Sequence, residues 1–356
     1  MKSMTLVNIM PRLGGETTLP TGLLYIAAVL ENTGCQVNFR DYQVTYEGGL
    51  TLQHISDILD TPDETIGISC LFNALPFVLH ALRVLKAETP EKTIILGGPG
   101  PSSVAENMMQ AFPYIDVIVR GEGEHTITEL AQGVPYRNVK GIVFRSGQTV
   151  ITTSPRERIH DLDEVPFPAC DKIDLTQYDH VGVITARGCP YQCAFCEVAP
   201  LWGHHTERRS IPNVMDEITF LHDYGVTDFH INDDTFVLDE KWVLQFCKVL
   251  QREKLDMTWK CNGRVDLMSE NLLRAMAQAG CIGIQYGIES GSEAVLKRIR
   301  KQISIPQIKE VLRMSIQYMD TIANFMWGFP FETMEDFYET IYLMGVVAEM
   351  GAQVSL

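Results

Sequence analysis

No run of apolar residues in this chain approaches the ~20 that a membrane-spanning helix requires. The longest runs, Gly22 to Leu30 and Ile341 to Ala348, fall well short, and the start at Met1 lacks the basic-then-apolar order of a signal peptide. The reading is of a cytoplasmic chain with no membrane span. Positive charge is also scarce: 29 Lys and Arg against 45 Asp and Glu leave −16. Such a balance argues against a nucleic acid or an anionic membrane as partner, because polyanions select basic faces. Cysteine is sparse too. Nine in 356 residues, an odd and uneven set, do not make a secreted disulfide scaffold.

What is present is a globular balance, 46% apolar and 21% charged, at a length that suggests about two domains at ~150 residues each. The first stretch alternates short apolar runs with amphipathic segments. Leu6–Met10, Val37–Tyr42, Thr65–Cys70, Thr93–Leu96 and Val117–Val119 read as strands. Thr21–Thr33, Leu52–Leu59, Phe77–Glu88, Ser102–Ala111 and Thr126–Gln132 read as helices. That alternation predicts an α/β, doubly wound, Rossmann-like domain over residues 1–145, with ligands at the carboxyl ends of its strands. Residues 146–178, with Ser154-Pro155 and Pro166-Phe167-Pro168, read as a linker.

Alternation resumes over 179–356. The predicted strands are Val181–Thr185, Phe229–Asn232, Met257–Lys260, Gly283–Gly287, Ile322–Met326 and Gln353–Leu356, with helices between them at Pro212–Tyr224, Glu240–Gln251, Ser269–Ala279 and Pro306–Tyr318. Their spacing suits a β/α barrel repeat. With no helix after the last strand, the reading is a partial (β/α)6 barrel whose C-terminal part is missing.

Three of the nine cysteines, Cys189, Cys193 and Cys196, fall within eight residues, just past the first strand of this second half. That is the rim where barrel enzymes place their chemistry. The other six are scattered and read as small core residues. Three closely spaced thiolates can wrap an iron-sulfur cubane. With no fourth cysteine near, one iron stays open to a small molecule. The alternative is zinc, which would require a fourth ligand such as His204 or His205.

The Cys-x3-Cys-x2-Cys loop, with Phe195 before its last cysteine, resembles that of the radical S-adenosylmethionine (SAM) superfamily. Further turns fit the same pattern: Ile231-Asn232-Asp233-Asp234-Thr235, Gly287-Ile288-Glu289-Ser290-Gly291-Ser292 and Trp327-Gly328-Phe329-Pro330-Phe331-Glu332-Thr333. The resemblance implies a 4Fe-4S cluster on Cys189, Cys193 and Cys196 whose open iron is chelated by the amino and carboxylate groups of SAM. Phe195 would lie near the adenine. Asp233, Asp234 and Thr235 stand where the family usually has a Gly-Gly-Glu turn for the methionine amino group, so backbone carbonyls would have to serve. Glu289 and Ser290 match the ribose contact, and Gly328 and Pro330 the adenine turn. Arg264 is the candidate for the SAM carboxylate; its alternatives are a surface arginine or one paired with Asp266.

A doubly wound domain ahead of such a barrel resembles the cobalamin-binding branch of the superfamily. The matching residues are Thr21, Gly22 and Leu23; Ser69; Gly97, Gly98 and Pro99; and Gly121, Glu122, Gly123 and Glu124. Glycines at strand ends let backbone lie against a flat macrocycle. The Asp-x-His-x-x-Gly motif that supplies a lower axial histidine is missing, and His54, His80 and His125 have no such setting. Leu71, Phe72 and Asn73 would then neighbour the lower face of cobalt, with Phe72 either covering it or lying in the core.

The implied function is reductive cleavage of SAM to a 5′-deoxyadenosyl radical, with methyl transfer from methylcobalamin to an unactivated carbon of a small-molecule or peptide substrate. A flavodoxin- or ferredoxin-type protein would supply electrons. The alternatives are a non-methylating cobalamin enzyme of the anaerobic porphyrin-cyclase or ring-rearranging type, a methylthiotransferase, which would require three further cysteines in the first domain, and a non-catalytic cobalamin store or sensor. Tyr191, Trp202, His204 and His205 are candidates to face substrate, or simply packing residues.

Overall fold

The computed structural model describes residues 1–12 and 14–356, which form two compact units, Met1–Val181 and Gly182–Leu356. The first is built on strands β1 (Ser3–Ile9), β2 (Gln36–Asp41), β3 (Thr65–Cys70), β4 (Thr93–Gly97), β5 (Val117–Val119), β6 (Ile142–Ser146) and β7 (Thr149–Thr152), in the spatial order β2-β1-β3-β4-β5-β6-β7. Strands β1 to β5 are parallel, while β6 and β7 add antiparallel strands at one edge. The inner strands are apolar on both faces, as a sheet sandwiched by helices demands. One face packs Val7, Ile66, Ile68 and Ile94 against helices Leu52–Leu59 and Leu75–Glu88, and the other packs Leu6, Ile95 and Val117 against Thr21–Asn32 and Glu124–Ala131.

Strand order reverses between β1 and β3, and a crevice for ligand belongs at the carboxyl ends there. The Leu75–Glu88 helix follows β3, and the predicted Ser102–Ala111 helix is divided into Pro99–Ser102 and Ala105–Ala111.

Residues 153–181 run irregularly but are held against the first unit. Leu162, Ala169, Cys170, Leu175 and Tyr178 are buried. The Tyr178 hydroxyl donates to Asp41 at 2.8 Å, and Thr17 N to Asp179 at 2.8 Å. Burial pushes the Asp41 carboxyl above its ordinary range, although Asn8, Tyr178 and Gln43 all donate to it.

The second unit carries β8 (Gly182–Val183), a short antiparallel pair β9 (Ala186–Arg187) and β10 (Glu207–Arg208), then β11 (Asp228–Ile231), β12 (Thr258–Gly263), β13 (Cys281–Glu289), β14 (Asp320–Phe325) and β15 (Gln353–Ser355). Six of these form one parallel sheet, β15-β14-β13-β12-β11-β8, the partial barrel. Ser210, Asp239, Ser269 and Thr333 cap the helices that follow them, the last in a full capping box with Asp336.

Gly291 packs directly on the last long helix, Met334–Glu349. A Cβ there would lie 2.3 Å from the Glu339 carbonyl oxygen and 2.7 Å from Thr340 Cα. Backbone on both sides cannot yield, so Gly291→Ala is expected to destabilise the protein by about 1–3 kcal/mol in urea denaturation.

Candidate active site at the carboxyl edge of the second unit

The cysteine loop leaves β9 through Gly188, whose φ of +96° favours glycine. Cys189, Cys193 and Cys196 are all half-buried free thiols. The loop is pinned by Cys196 N donating to the Cys193 carbonyl at 3.2 Å and by Ala194 N donating to the Ile299 carbonyl at 2.8 Å. Burial pushes the Cys196 thiol up, and its two neighbouring cysteines add to the effect. Among the described residues, no three His, Cys, Asp or Glu side chains converge on a point that a single metal ion could occupy. A cubane instead grips its sulfurs at separate corners, and three thiols outside any disulfide on one short loop fit that requirement.

After β11, Asp233 is buried and its carboxylate is fully engaged. It accepts from Thr185 N at 2.6 Å, Ala186 N at 2.9 Å and the Thr185 hydroxyl, with Arg208 Nη1 3.6 Å away. Burial still raises its pKa. Its side chain therefore sets the chain path into the cysteine loop. Asp234 accepts from Gly188 N at 2.8 Å, and Thr235 Oγ1 lies 3.4 Å from Cys189 Sγ while donating to the Asp234 carbonyl at 2.6 Å. These three residues brace the loop with their side chains. Asp233→Ala would strip the buried Thr185 and Ala186 N–H groups of their acceptor and leave half-buried Arg208 with only the more distant charge of Asp239, and a loss of about 3–5 kcal/mol in denaturant melts is expected, with Asp233→Asn losing less.

Strand β13 ends in a bulge against β14, between Gly287 and Glu289, and Glu289 adopts φ +68°. Its buried carboxylate meets Lys301 Nζ at 2.7 Å. Gly287 makes room for this pair, since a Cβ there would lie 2.4 Å from Glu289 Oε1 and 2.8 Å from Lys301 Nζ. Arg300 and Gln302, flanking Lys301, also have positive φ, a concentration of strain typical of functional segments. Ser290 is turned away: its hydroxyl pairs with Thr340 at 3.0 Å. Gly328, φ +102°, opens the turn after β14, and its N–H and that of Phe329 donate to Glu332 Oε2 at 2.7 and 2.8 Å. Among the described residues, Glu332 Oε1 is buried without a hydrogen-bond partner, uncommon for a buried acceptor. Phe195 packs on Phe329, ring centroids 5.8 Å apart, while Pro330 is exposed.

The fork of Arg264 is engaged by Asp266, at 3.0 and 3.2 Å, and by the Lys301 carbonyl at 2.8 Å. The Asp266 pairing, an alternative left open by the sequence, is what the structure shows. Burial disfavours its charge, but Asp266 more than compensates and holds its pKa up. Tyr191 lies under this guanidinium and donates to Asp266 at 3.2 Å. Lys301 does not stand out in the sequence, and Glu332 enters there only as part of the 327–333 turn, with no role of its own. Lys301 lies in a basic run with Lys297, Arg298 and Arg300, of which it alone is buried. His204 and His205 are exposed.

In the first unit the predicted residues gather at the carboxyl ends of β3, β4 and β5 and at the start of the Thr21–Asn32 helix. A Cβ added at Gly22, Gly97 or Gly121 would meet nothing within 4 Å, so open space lies over these glycines, as a flat macrocycle requires. Gly98, φ +90°, and Gly100 instead carry the β4 loop close to Ser69, Cys70 and Leu71. Phe72 is 48% exposed, which removes the core-aromatic alternative; Leu71 is half-buried and Asn73 exposed. Glu122 is buried and accepts from Ile159 N at 2.8 Å, and Gly123 packs on Ile26. Thr21, Leu23 and Glu124 are buried, and Ser69 and Pro99 half-buried. His54 is stacked on Tyr46, while His80 and His125 are exposed.

Comparison with known proteins accounts for both units. The radical SAM superfamily model matches residues 183–344, and the B12-binding domain model residues 14–131. An uncharacterised methyltransferase of Pyrococcus horikoshii is 29% identical over 96% of this chain and 78% of its own length. The cytidylyl-2-hydroxyethylphosphonate methyltransferase of Streptomyces wedmorensis is 28% identical over 88% of this chain and 68% of its own. The cobalamin-dependent SAM radical enzyme OxsB, solved with aqua-cobalamin and SAM bound, superposes with a TM-score of 0.79 at 21% identity over 97% of this chain, which spans about half of that structure, 52%.

Proposed function

Since the chain belongs to the cobalamin-binding radical SAM enzymes, we propose that it methylates an unactivated carbon of a small molecule. When bound, the cluster and SAM supply a 5′-deoxyadenosyl radical, and methylcobalamin supplies the methyl group. The observation that carries the reading is the trio of free thiols on one braced loop, beside a turn with an unsatisfied buried acceptor and two buried cations. The two methyltransferase relatives support methyl transfer, and the comparable similarity to the anaerobic magnesium-protoporphyrin IX monomethyl ester cyclase of Synechocystis supports the second, non-methylating reading.

On this reading Cys189, Cys193 and Cys196 hold the cluster. Asp233 and Asp234 fix the loop, Thr235 contacts Cys189, and backbone after β11 meets the methionine amino group. Lys301 provides positive charge for the carboxylate of SAM, since the Arg264 fork is already taken up by Asp266 and the Lys301 carbonyl. Glu289 and the backbone of Ser290, whose hydroxyl is held by Thr340, mark the ribose end. Phe195, Gly328 and Pro330 flank the adenine, and Glu332 Oε1 accepts from its amino group. Residues 1–145 hold cobalamin through Thr21, Gly22, Leu23, Ser69, Gly97, Gly98, Pro99 and Gly121 to Glu124, with Leu71, Phe72 and Asn73 beside its lower face, and 179–356 carry the radical chemistry. The protein positions the cofactors, which supply the reactivity.

A cytoplasmic setting and a flavodoxin- or ferredoxin-type donor belong to the same proposal. Among the described residues, no helix is long and apolar enough to cross a membrane.

The test is anaerobic incubation of reconstituted protein with SAM and dithionite. Formation of 5′-deoxyadenosine above a cluster-free control is expected. With substrate, S-adenosylhomocysteine should accompany it in step with methylated product. Deoxyadenosine with no methylated product would move the assignment to the non-methylating group.

A further inference from the structure

Arg264 closes β12 and is buried to 5% exposure. Asp266 and the Lys301 carbonyl pin Nε and Nη2. The flat face of the guanidinium lies 3.5 Å from the ring centroid of Tyr191, inside the cysteine loop. A guanidinium is rigid and planar, so fixing two nitrogens and one face also fixes where the third nitrogen points. Nη1 points at Cys193 Sγ, 3.8 Å away. The contact joins residues 71 apart in the chain, and its direction is set by Asp266, the Lys301 carbonyl and Tyr191, which itself donates to Asp266.

Reduction adds one negative charge to an iron-sulfur cluster, and hydrogen bonds to its sulfurs help set its potential. A cation close to the sulfur favours the reduced form, and an anion opposes it. We propose that Arg264, through its N–H contact with Cys193, raises the reduction potential of the cluster held there, and that Asp266 offsets part of this rise. The proposal rests on the cluster reading above. It assigns the fork a task different from gripping the SAM carboxylate: an anchor for SAM would alter SAM affinity while leaving the potential of the SAM-free protein unchanged.

The experiment uses the full chain, reconstituted anaerobically with iron and sulfide, with no SAM present. Dithionite supplies one electron per cluster, and EPR of the reduced cluster follows the titration. Iron per chain is measured for every variant. For Arg264→Gln the reduced-to-oxidised ratio at fixed potential is expected to fall about tenfold, which for one electron is a midpoint about 59 mV more negative. Asp266→Asn is expected to shift the midpoint the opposite way, and Arg264→Lys, which keeps the charge but loses the fork, to fall between wild type and Arg264→Gln.

Full iron with a wild-type midpoint in both Arg264→Gln and Asp266→Asn overturns the proposal and leaves the cluster reading standing. A shift in the same direction in both also overturns it, because that reports a loosened loop rather than charge. Should Arg264→Gln lose its iron, Asp266→Asn decides: an upward shift supports the proposal, and none or a downward one overturns it. If the unmodified protein takes up no cluster, the cluster reading itself fails and takes this proposal with it.

Discussion

Replacing Cys193 with alanine is expected to take iron from about four per chain to background, with loss of the brown cluster absorbance and of all SAM cleavage. The sulfur it removes sits in the middle of the loop, and the nearby aspartates and the other cysteines are committed elsewhere. Asp234 is already bonded to Gly188 N and Asp233 is sealed against Thr185 and Ala186. The six remaining cysteines are buried elsewhere in the two cores. Cys189→Ala and Cys196→Ala should behave alike, because a cluster held by two sulfurs exposes two irons. Iron analysis and ultraviolet-visible spectra of anaerobically prepared protein check the result, and a variant retaining wild-type iron and SAM cleavage would remove the basis of the functional reading.

The second large effect is expected in the first unit. Gly98 holds φ +90° and ψ 177°, a region essentially reserved for glycine, and a Cβ there would lie 2.9 Å from Ser69 Oγ and 3.3 Å from the Cys70 carbonyl oxygen. Gly98→Ala must either twist the β4 loop or push the β3 loop aside, at about 1–3 kcal/mol. Both loops border the proposed cobalamin site. The dissociation constant for cobalamin, measured by titration, is therefore expected to rise about tenfold, since roughly 1.4 kcal/mol of strain that binding must overcome is a tenfold loss of affinity. Gly345→Ala is the control. Gly345 lies in the Met334–Glu349 helix with nothing within 4 Å of an added Cβ, so cobalamin affinity should not change.

The strands β3 and β5 were legible to the residue because each is a short apolar run between polar or turn residues. The antiparallel β6–β7 hairpin was not, because Arg145, Ser146, Thr149 and Thr152 give its strands a polar outer face that reads as loop. The Met334–Glu349 helix was hidden for a related reason: Tyr338, Ile341 and Tyr342 are exposed, so its apolar residues do not confine themselves to one face.

At the candidate site, cysteine spacing carried the chemistry directly, since ligand type and separation are local properties. The partners of Arg264 could be narrowed but not chosen, because a free fork and one paired with Asp266 look identical in sequence. Lys301 was illegible for a tertiary reason. Which member of a basic run turns inward depends on the positive φ of Arg300 and Gln302, and sequence pattern encodes no such backbone state.

The irregular stretch that follows β7 has a practical meaning for anyone dissecting the molecule. Asp41 relies on the Tyr178 hydroxyl, and Thr17 on Asp179, so a cobalamin module excised at residue 145 would bare an apolar flank and strip a sequestered carboxylate of a donor. The severable piece ends at Val181, and the apparent spacer belongs to the module as its clasp.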